Sequence, residues 1–356
     1  MKEKRKKCAS IGGQAVMEGV MMRGIRSTAT AVRDSDGNLR VESKRLKPIR
    51  ERNVFFRMPF VRGIISFFSS LVGGIKTLMR SAEVFGEGEP SKFEKWLAKK
   101  LKVNVMGVVT TVSLILGLAL AVFLFIWLPV NLRAWVFGNE INVWAKNFIE
   151  GGVKIAIFVL YILSVSLLKD IKRTFMYHGA EHKTITCFEK GLPLTVDNAR
   201  KCRRVHDRCG TTFMVFVLVI SIIVFAVFES LLSINGINFN NIIRVLCKIA
   251  LLPVVAGLSY ELLKLLAKTQ SPLVLPLKAP GLLLQLLTTK EPDDSMLEVA
   301  ITSFNEVYFL DADKSISTKN FFKKSTVGEL TESVAKKLAV FGITEKAESE
   351  WIVSLS

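Results

Sequence analysis

The segment FMYHGAEHKTI, residues 175–185, holds two of the three histidines of a 356-residue chain, with a glutamate before the second. On a helix His178 and His182 stand at i and i+4, on one face and one turn apart, so both imidazoles can reach a single metal ion. Glu181, at i+3 from His178, edges the same face and could hold a water for attack. A catalytic zinc takes three protein ligands and keeps a fourth position open. The third histidine, His206 in VHDRCGTTF, lies in the same loop and is the first choice for the remaining ligand. Cys209, three residues on, could replace it or join it, and its thiolate would favour Zn²⁺ or Fe²⁺ over Mg²⁺.

H-x-x-E-H is the order of the inverzincin peptidases, in which the glutamate acts as general base. Such an enzyme takes a carboxylate ligand from a helix well downstream, which makes Glu261 in SYELLK the rival to His206. Cys202, His206 and Cys209, completed by the helical pair, could instead form a closed structural zinc site. The pattern is short enough to arise by chance. Glu181 could be neutralised by Lys183 or Arg173, and Gly179 weakens the helix by about 1 kcal/mol relative to Ala. No Walker loop or nucleophile elbow is present, and Gly12-Gly13 is too short to cradle a phosphate.

The elements that would position these residues follow from composition. Half of the residues are hydrophobic, yet the formal charge is +18. An integral membrane protein combines these features because Lys and Arg gather on its cytosolic side. A basic nucleic-acid-binding protein is excluded by the pattern, since the apolar residues come in membrane-length runs. Four runs reach the length of about 20 residues that a bilayer needs: roughly 104–130, 148–168, 211–233 and 241–266, the last bent at Pro253. The 169–210 loop carries ten Lys or Arg, whereas 131–147 carries only Arg133 and Lys146, and 234–240 none. The positive-inside rule then puts both termini and the histidine loop in the cytosol.

Residues 55–80, interrupted by Arg57, Arg62 and Lys76, read as an amphipathic helix on the cytosolic leaflet, with a fifth span as the alternative. The proline-broken stretch 272–289 reads as interfacial or re-entrant. Near the N-terminus, 27–46 predicts two strands joined at Asp36-Gly37, and the glycine-rich 11–24 a strand with tight turns. Helices are expected over 295–310 and 326–342. The five cysteines show no secreted-domain spacing and are expected reduced. No apolar stretch of a cleaved signal peptide follows the basic N-terminus.

The motifs GGQAVMEGVMMRG, YHGAEHKTI, HDRCGTTF, LLPVVAGLSYELLK and PGLLLQLLTTKEPDD, in this order over about residues 8–302, resemble the YqhQ family of bacterial multi-pass membrane proteins, catalogued as predicted metal-dependent enzymes. The resemblance implies an inner-membrane protein whose candidate metal residues are His178, Glu181, His182, His206 and Cys209. The chain departs from the family at Asp207, where a proline is usual. The tail TVGELTESVAKKLAVFGITEKAESEWIVSL is similar to the opening helices of release-factor glutamine methyltransferases, but no Asn-Pro-Pro-Tyr motif follows, which excludes that activity.

The expected architecture is a mainly α, polytopic helical membrane protein with about four transmembrane helices, a small N-terminal β-hairpin element and a cytosolic helical tail. Its parts are a β-rich element (1–53), an interfacial helix and linker (54–100), a transmembrane domain (101–292) and the tail (293–356). The expected function is that of a metal-dependent hydrolase facing the cytosol, with His178, His182, His206 and Cys209 as metal candidates and Glu181 as general base. The cofactor would be a divalent metal, Zn²⁺ first and Fe²⁺ second. The partners would be membrane lipids and a membrane-associated substrate, with no nucleic acid, and a homo-oligomer is compatible with the sequence. The alternative is a non-catalytic membrane scaffold or assembly factor with a structural or regulatory metal site.

Overall fold

The computed structural model describes residues 11–46, 60–85, 105–138, 142–206, 209–235, 240–268 and 274–312, together with the single positions 58, 315 and 318. Asp207 and the helix expected over 326–342 lie outside them.

The N-terminal element is a four-stranded antiparallel meander in the order β1-β2-β3-β4: β1 (Gly12–Val16), β2 (Gly19–Arg23), β3 (Ser27–Arg33) and β4 (Leu39–Arg45). The expected 27–46 hairpin is its second half, and Gly37 takes the left-handed conformation (φ +82°) that the turn requires. The glycine-rich stretch is its first half, a hairpin turned at Met17-Glu18. Alternation gives the sheet two unlike faces. Val20, Met22, Ala29, Ala31 and Val41 are buried in the main core, whereas Gln14, Met21, Thr30 and Glu42 share a row on the other face.

The helices follow as α1 (Val61–Phe85), α2 (Val105–Val122), a π-helical turn (Phe123–Trp127), α3 (Leu128–Phe137), α4 (Val143–Val165), α5 (Lys169–Glu189), α6 (Val196–Arg200), α7 (Gly210–Ile234), α8 (Asn241–Ala250), α9 (Leu252–Lys268), α10 (Leu275–Thr288) and α11 (Asp294–Ala312). Among the described residues, four helices are long and apolar enough to cross a membrane. Three of them, Thr111–Phe137, Val143–Val165 and Gly210–Ile234, coincide with expected spans. The fourth expected span is a pair, α8 and α9, bent by 44° at the break before Pro253. The remaining qualifying helix is α1, which the charges at 57, 62 and 76 argued onto the membrane surface. Its start packs Gly63 against the Gly257 carbonyl and Tyr260 of α9, and Phe67 meets Phe213 in the first turn of α7. Farther along, the Ser81 hydroxyl accepts the Met17 N–H at the sheet, and Gly74 abuts the Gln14 amide.

Between the apolar helices lies a buried ion network. Glu150 of α4 accepts from Arg133 (3.2 Å), Arg244 (3.2 Å) and Lys248, while Glu229 of α7 accepts from Arg244 (2.8 Å) and Asn147 (3.0 Å). An isolated charge at a bilayer centre costs about 2.5–3.5 kcal/mol or more, and pairing across four helices offsets this.

The main core joins the sheet, α5 and α11. Met296, Leu297, Val299, Ala300, Phe304 and Val307 of α11 are all buried, and the larger side chains each contribute roughly 1.5–3 kcal/mol. Polar groups at this interface are matched: Ser303 Oγ donates to the Ala29 carbonyl (2.9 Å) and accepts the Met22 N–H (3.2 Å). Asp311 accepts the Ile25 (2.6 Å) and Arg26 (3.1 Å) N–H groups and the Ser27 hydroxyl (2.6 Å).

The chain between α10 and α11 crosses α5 at its glycine. The Lys290 N–H donates to the Phe175 carbonyl (2.8 Å), and a Cβ on Gly179 would land in the Lys290 carbonyl oxygen. The glycine that weakens the isolated helix therefore admits this crossing. Gly179→Ala gains about 1 kcal/mol of helix propensity, but backbone must give way, at roughly 1–3 kcal/mol or more. The substitution is expected to lower the thermal midpoint of the detergent-purified protein. A raised midpoint would refute the close approach.

Candidate metal centre

His178 and His182 lie on α5, whose stretch Tyr177–Cys187 is mostly buried between sheet, α6 and α11. Their rings meet edge to face with centroids 4.4 Å apart. Each ring is oriented by a main-chain carbonyl: Nδ1 of His178 lies 2.9 Å from the Thr288 oxygen, and Nδ1 of His182 lies 2.6 Å from the Arg204 oxygen. A carbonyl only accepts, so each Nδ1 carries a proton, and in the neutral form of each ring Nε2 presents the lone pair.

These lone pairs converge with Cys209, the N-cap residue of α7. His178 Nε2 is 3.2 Å from Sγ, and the three ligand atoms lie within 4.8 Å of one another. A tetrahedral zinc with bonds of about 2.0–2.3 Å would bring such atoms to roughly 3.3–3.8 Å, so the set needs to contract by about 1 Å. The thiol has one proton for two imidazole acceptors, and His182 Nε2 is buried without a hydrogen-bond partner. Burial, the strongest influence on His182, holds its pKa below the usual imidazole value, with His178 acting in the same direction against Cys209 and the Arg204 carbonyl. This donor set, two neutral imidazoles and a thiol with a lone pair left over, fits a soft-to-borderline divalent ion.

His206 stands beside this group and outside it. Its ring is 5.9 Å from that of His182, and its Nε2 is 3.1 Å from Glu189. Gln285 holds its backbone at both ends, accepting the His206 N–H (2.8 Å) and donating to its carbonyl (2.9 Å). The other rivals are engaged elsewhere: Glu261 takes a two-point hydrogen bond from Arg62 (2.7 and 2.5 Å). Cys202 donates to the Asn198 carbonyl (3.3 Å), and burial together with Cys202 pushes the neighbouring Cys187 thiol up to about 12.

Glu181 is buried at the edge of the centre. Its side chain lies under β1, where a Cβ on Gly13 would come 2.9 Å from its Cγ and Cδ. Neither suspected neutralising cation reaches it: Lys183 donates to the Arg200 carbonyl (2.7 Å) and pairs with Glu291, and Arg173 forks onto Glu18 (2.5 Å). Burial raises the Glu181 pKa, against the opposing pull of His178, His206 and the Gly13 N–H. Its Oε2 has no hydrogen-bond partner. Glu181, His182, His206 and Cys209 line one end of a cavity of about 570 Å³ that extends between the sheet and α1.

The orienting groups are the part the sequence did not reveal. Backbone carbonyls at 204 and 288 carry no residue-type signal, whereas Gln285, the lone amide in the apolar run GLLLQLL, was visible as an anomaly.

Residues 58–309 match the model of a family described as a protein of unknown function, DUF1385. The chain is also 37% identical over 315 residues to the uncharacterized protein YqhQ of Bacillus subtilis (strain 168), covering 87% of this chain and 95% of the relative. No solved structure matches. The chain belongs to the DUF1385 family, with YqhQ among its relatives.

Proposed function

We propose that this protein is a membrane-embedded, metal-dependent hydrolase whose centre is formed by His178, His182 and Cys209. The observation that carries the reading is the surplus of acceptors: two ring nitrogens fixed by their own Nδ1–H bonds face one thiol, and one of them is left buried without a partner. A buried polar atom in that state costs about 1–3 kcal/mol, which a cation at the same point would relieve. A divalent ion held there supplies Lewis acidity, polarising a carbonyl or acidifying water. The carbonyls of Thr288 and Arg204 keep the imidazoles in the ligating tautomer. Glu181, on the cavity side and shielded from cations, is the residue to accept a proton from water, and Gly13 positions it. His206 lines the same cavity and is held by Glu189.

The basic loop charges favour a cytosol-facing centre in a multi-pass protein of the bacterial inner membrane, with both termini cytosolic. Zinc is the first candidate, because a thiol joins the imidazoles.

Elemental analysis of the purified protein tests the centre. About one zinc or iron per chain is expected in the native protein and little in His182→Ala; equal, negligible metal in both would end the reading. Cobalt substitution separates the roles of the neighbours. The native protein and Glu181→Gln should both show a thiolate-to-cobalt charge-transfer band, and Cys209→Ser should lose it. Retention of the band in Cys209→Ser would remove the cysteine from the ligand set.

A further inference from the structure

The wall of the cavity opposite the centre is the polar face of the sheet, and its register fixes which residues share it. Gly12, Arg23, Thr28 and Lys44 form one row across the four strands, and all four line the cavity. With neighbouring strands about 4.8 Å apart, Arg23 and Lys44 stand roughly 10 Å apart on that row, with Thr28 between them. The two cations differ. Lys44 donates to Glu42 (3.1 Å), and Arg80 lies 3.7 Å from the same carboxylate. No carboxylate pairs with Arg23 among the described residues. The row neighbour of Arg23 on the edge strand is Gly12, where an added Cβ would meet nothing within 4 Å. Among the described residues, that neighbouring position on the row carries no side chain and has space for one. The facing wall, from α1, adds the hydroxyls of Ser69, Ser70 and Thr77.

A guanidinium with no carboxylate partner among the described residues, set between hydroxyl-bearing walls, suits an oxyanion. Arginine offers a planar fork of donors matched to phosphate or carboxylate. With the two-point fork of Arg23, the hydroxyls of Thr28, Thr30 and Ser69 bring the donors to five, more than the roughly four lone-pair sites of a carboxylate, and a phosphate group presents more acceptors. Of the carboxylates in the cavity, Glu42 is held by Lys44, and Glu181 lines the other end, beside the centre. We propose that the cavity binds a phosphate-bearing substrate, with the phosphate seated on Arg23 and the Thr28 row and the scissile group at the metal end. This rests on the reading of the His178–His182–Cys209 group as a hydrolytic centre. The phosphate could belong to a lipid headgroup or to a soluble phosphate ester, and the chemistry of recognition is the same.

Titration calorimetry with inorganic phosphate, on zinc-loaded protein in phosphatidylcholine nanodiscs, tests the seat. Arg23→Gln should bind phosphate at least about tenfold more weakly, as expected for loss of a charge-assisted contact, while keeping its metal. Arg23→Lys should recover part of the affinity, which distinguishes loss of the seat from misfolding. Repeating the titration in His182→Ala separates the two ideas. If that variant loses metal but keeps Arg23-dependent phosphate binding, the seat stands on its own geometry. If metal is bound and phosphate affinity is equal in native protein and Arg23→Gln, the seat is wrong and the metal centre stands. Absence of phosphate binding in the native protein likewise overturns the seat. Nanodiscs containing phosphatidylglycerol identify the source: competition with phosphate assigns it to a lipid headgroup, and no competition to a soluble ester.

Discussion

The last turn of α10 and the two residues after it form the clamp on which the site depends. Within residues 285–290, Gln285 holds the His206 backbone, the Thr288 carbonyl orients His178, the Thr289 carbonyl accepts from Arg204 (3.2 Å), and Lys290 pairs with Phe175 across Gly179. Arg204 in turn gives its own carbonyl to His182. Two imidazoles on one helix are thus fixed by segments about 22 and 110 residues away in sequence. Such hydrogen bonds leave little rotational freedom, so both rings are held facing Cys209.

That clamp also connects the two halves of the molecule. Toward its start, α10 packs among the apolar helices, with Gly281 against Thr212 of α7. Past its end, the chain enters α11, whose apolar side chains form the core with the sheet. Cys209 caps the beginning of α7 at the same level. The centre therefore sits where an apolar helical layer meets a packed α/β layer, each contributing one side of the ligand set. The glycine-rich strand β1 closes the arrangement over Glu181, and the absence of a side chain at Gly13 leaves room for that carboxyl.

Much of this was legible in the sequence for physical reasons. Apolar runs of membrane length and the 27–46 hairpin are local signals, set by hydrophobicity and turn chemistry. The i, i+4 histidines and the nearby Cys209 were legible because a metal needs those residue types at that spacing. That Cys209 rather than His206 stands within reach of the histidine pair was not decidable, because the place of His206 hangs on Gln285, a partner 79 positions away. Likewise, nothing local in 61–85 separates a surface helix from a span: three cations argue one way and overall hydropathy the other. The burial of α11 depended on the apolar face of a sheet 270 to 280 residues earlier, which periodicity alone cannot locate.

The ion network among the apolar helices bears on how the chain is assembled. Helix α8 carries Arg244 and Lys248 on the side that meets Glu150 and Glu229. At ten residues it is too short to cross a bilayer by itself. Two cations on so short a segment oppose spontaneous partitioning into lipid by several kcal/mol. Its charges are matched by α4 and α7, which come earlier in the chain and hold the two carboxylates. In chain order the acidic helices come first, so both carboxylates precede the cations that they pair with.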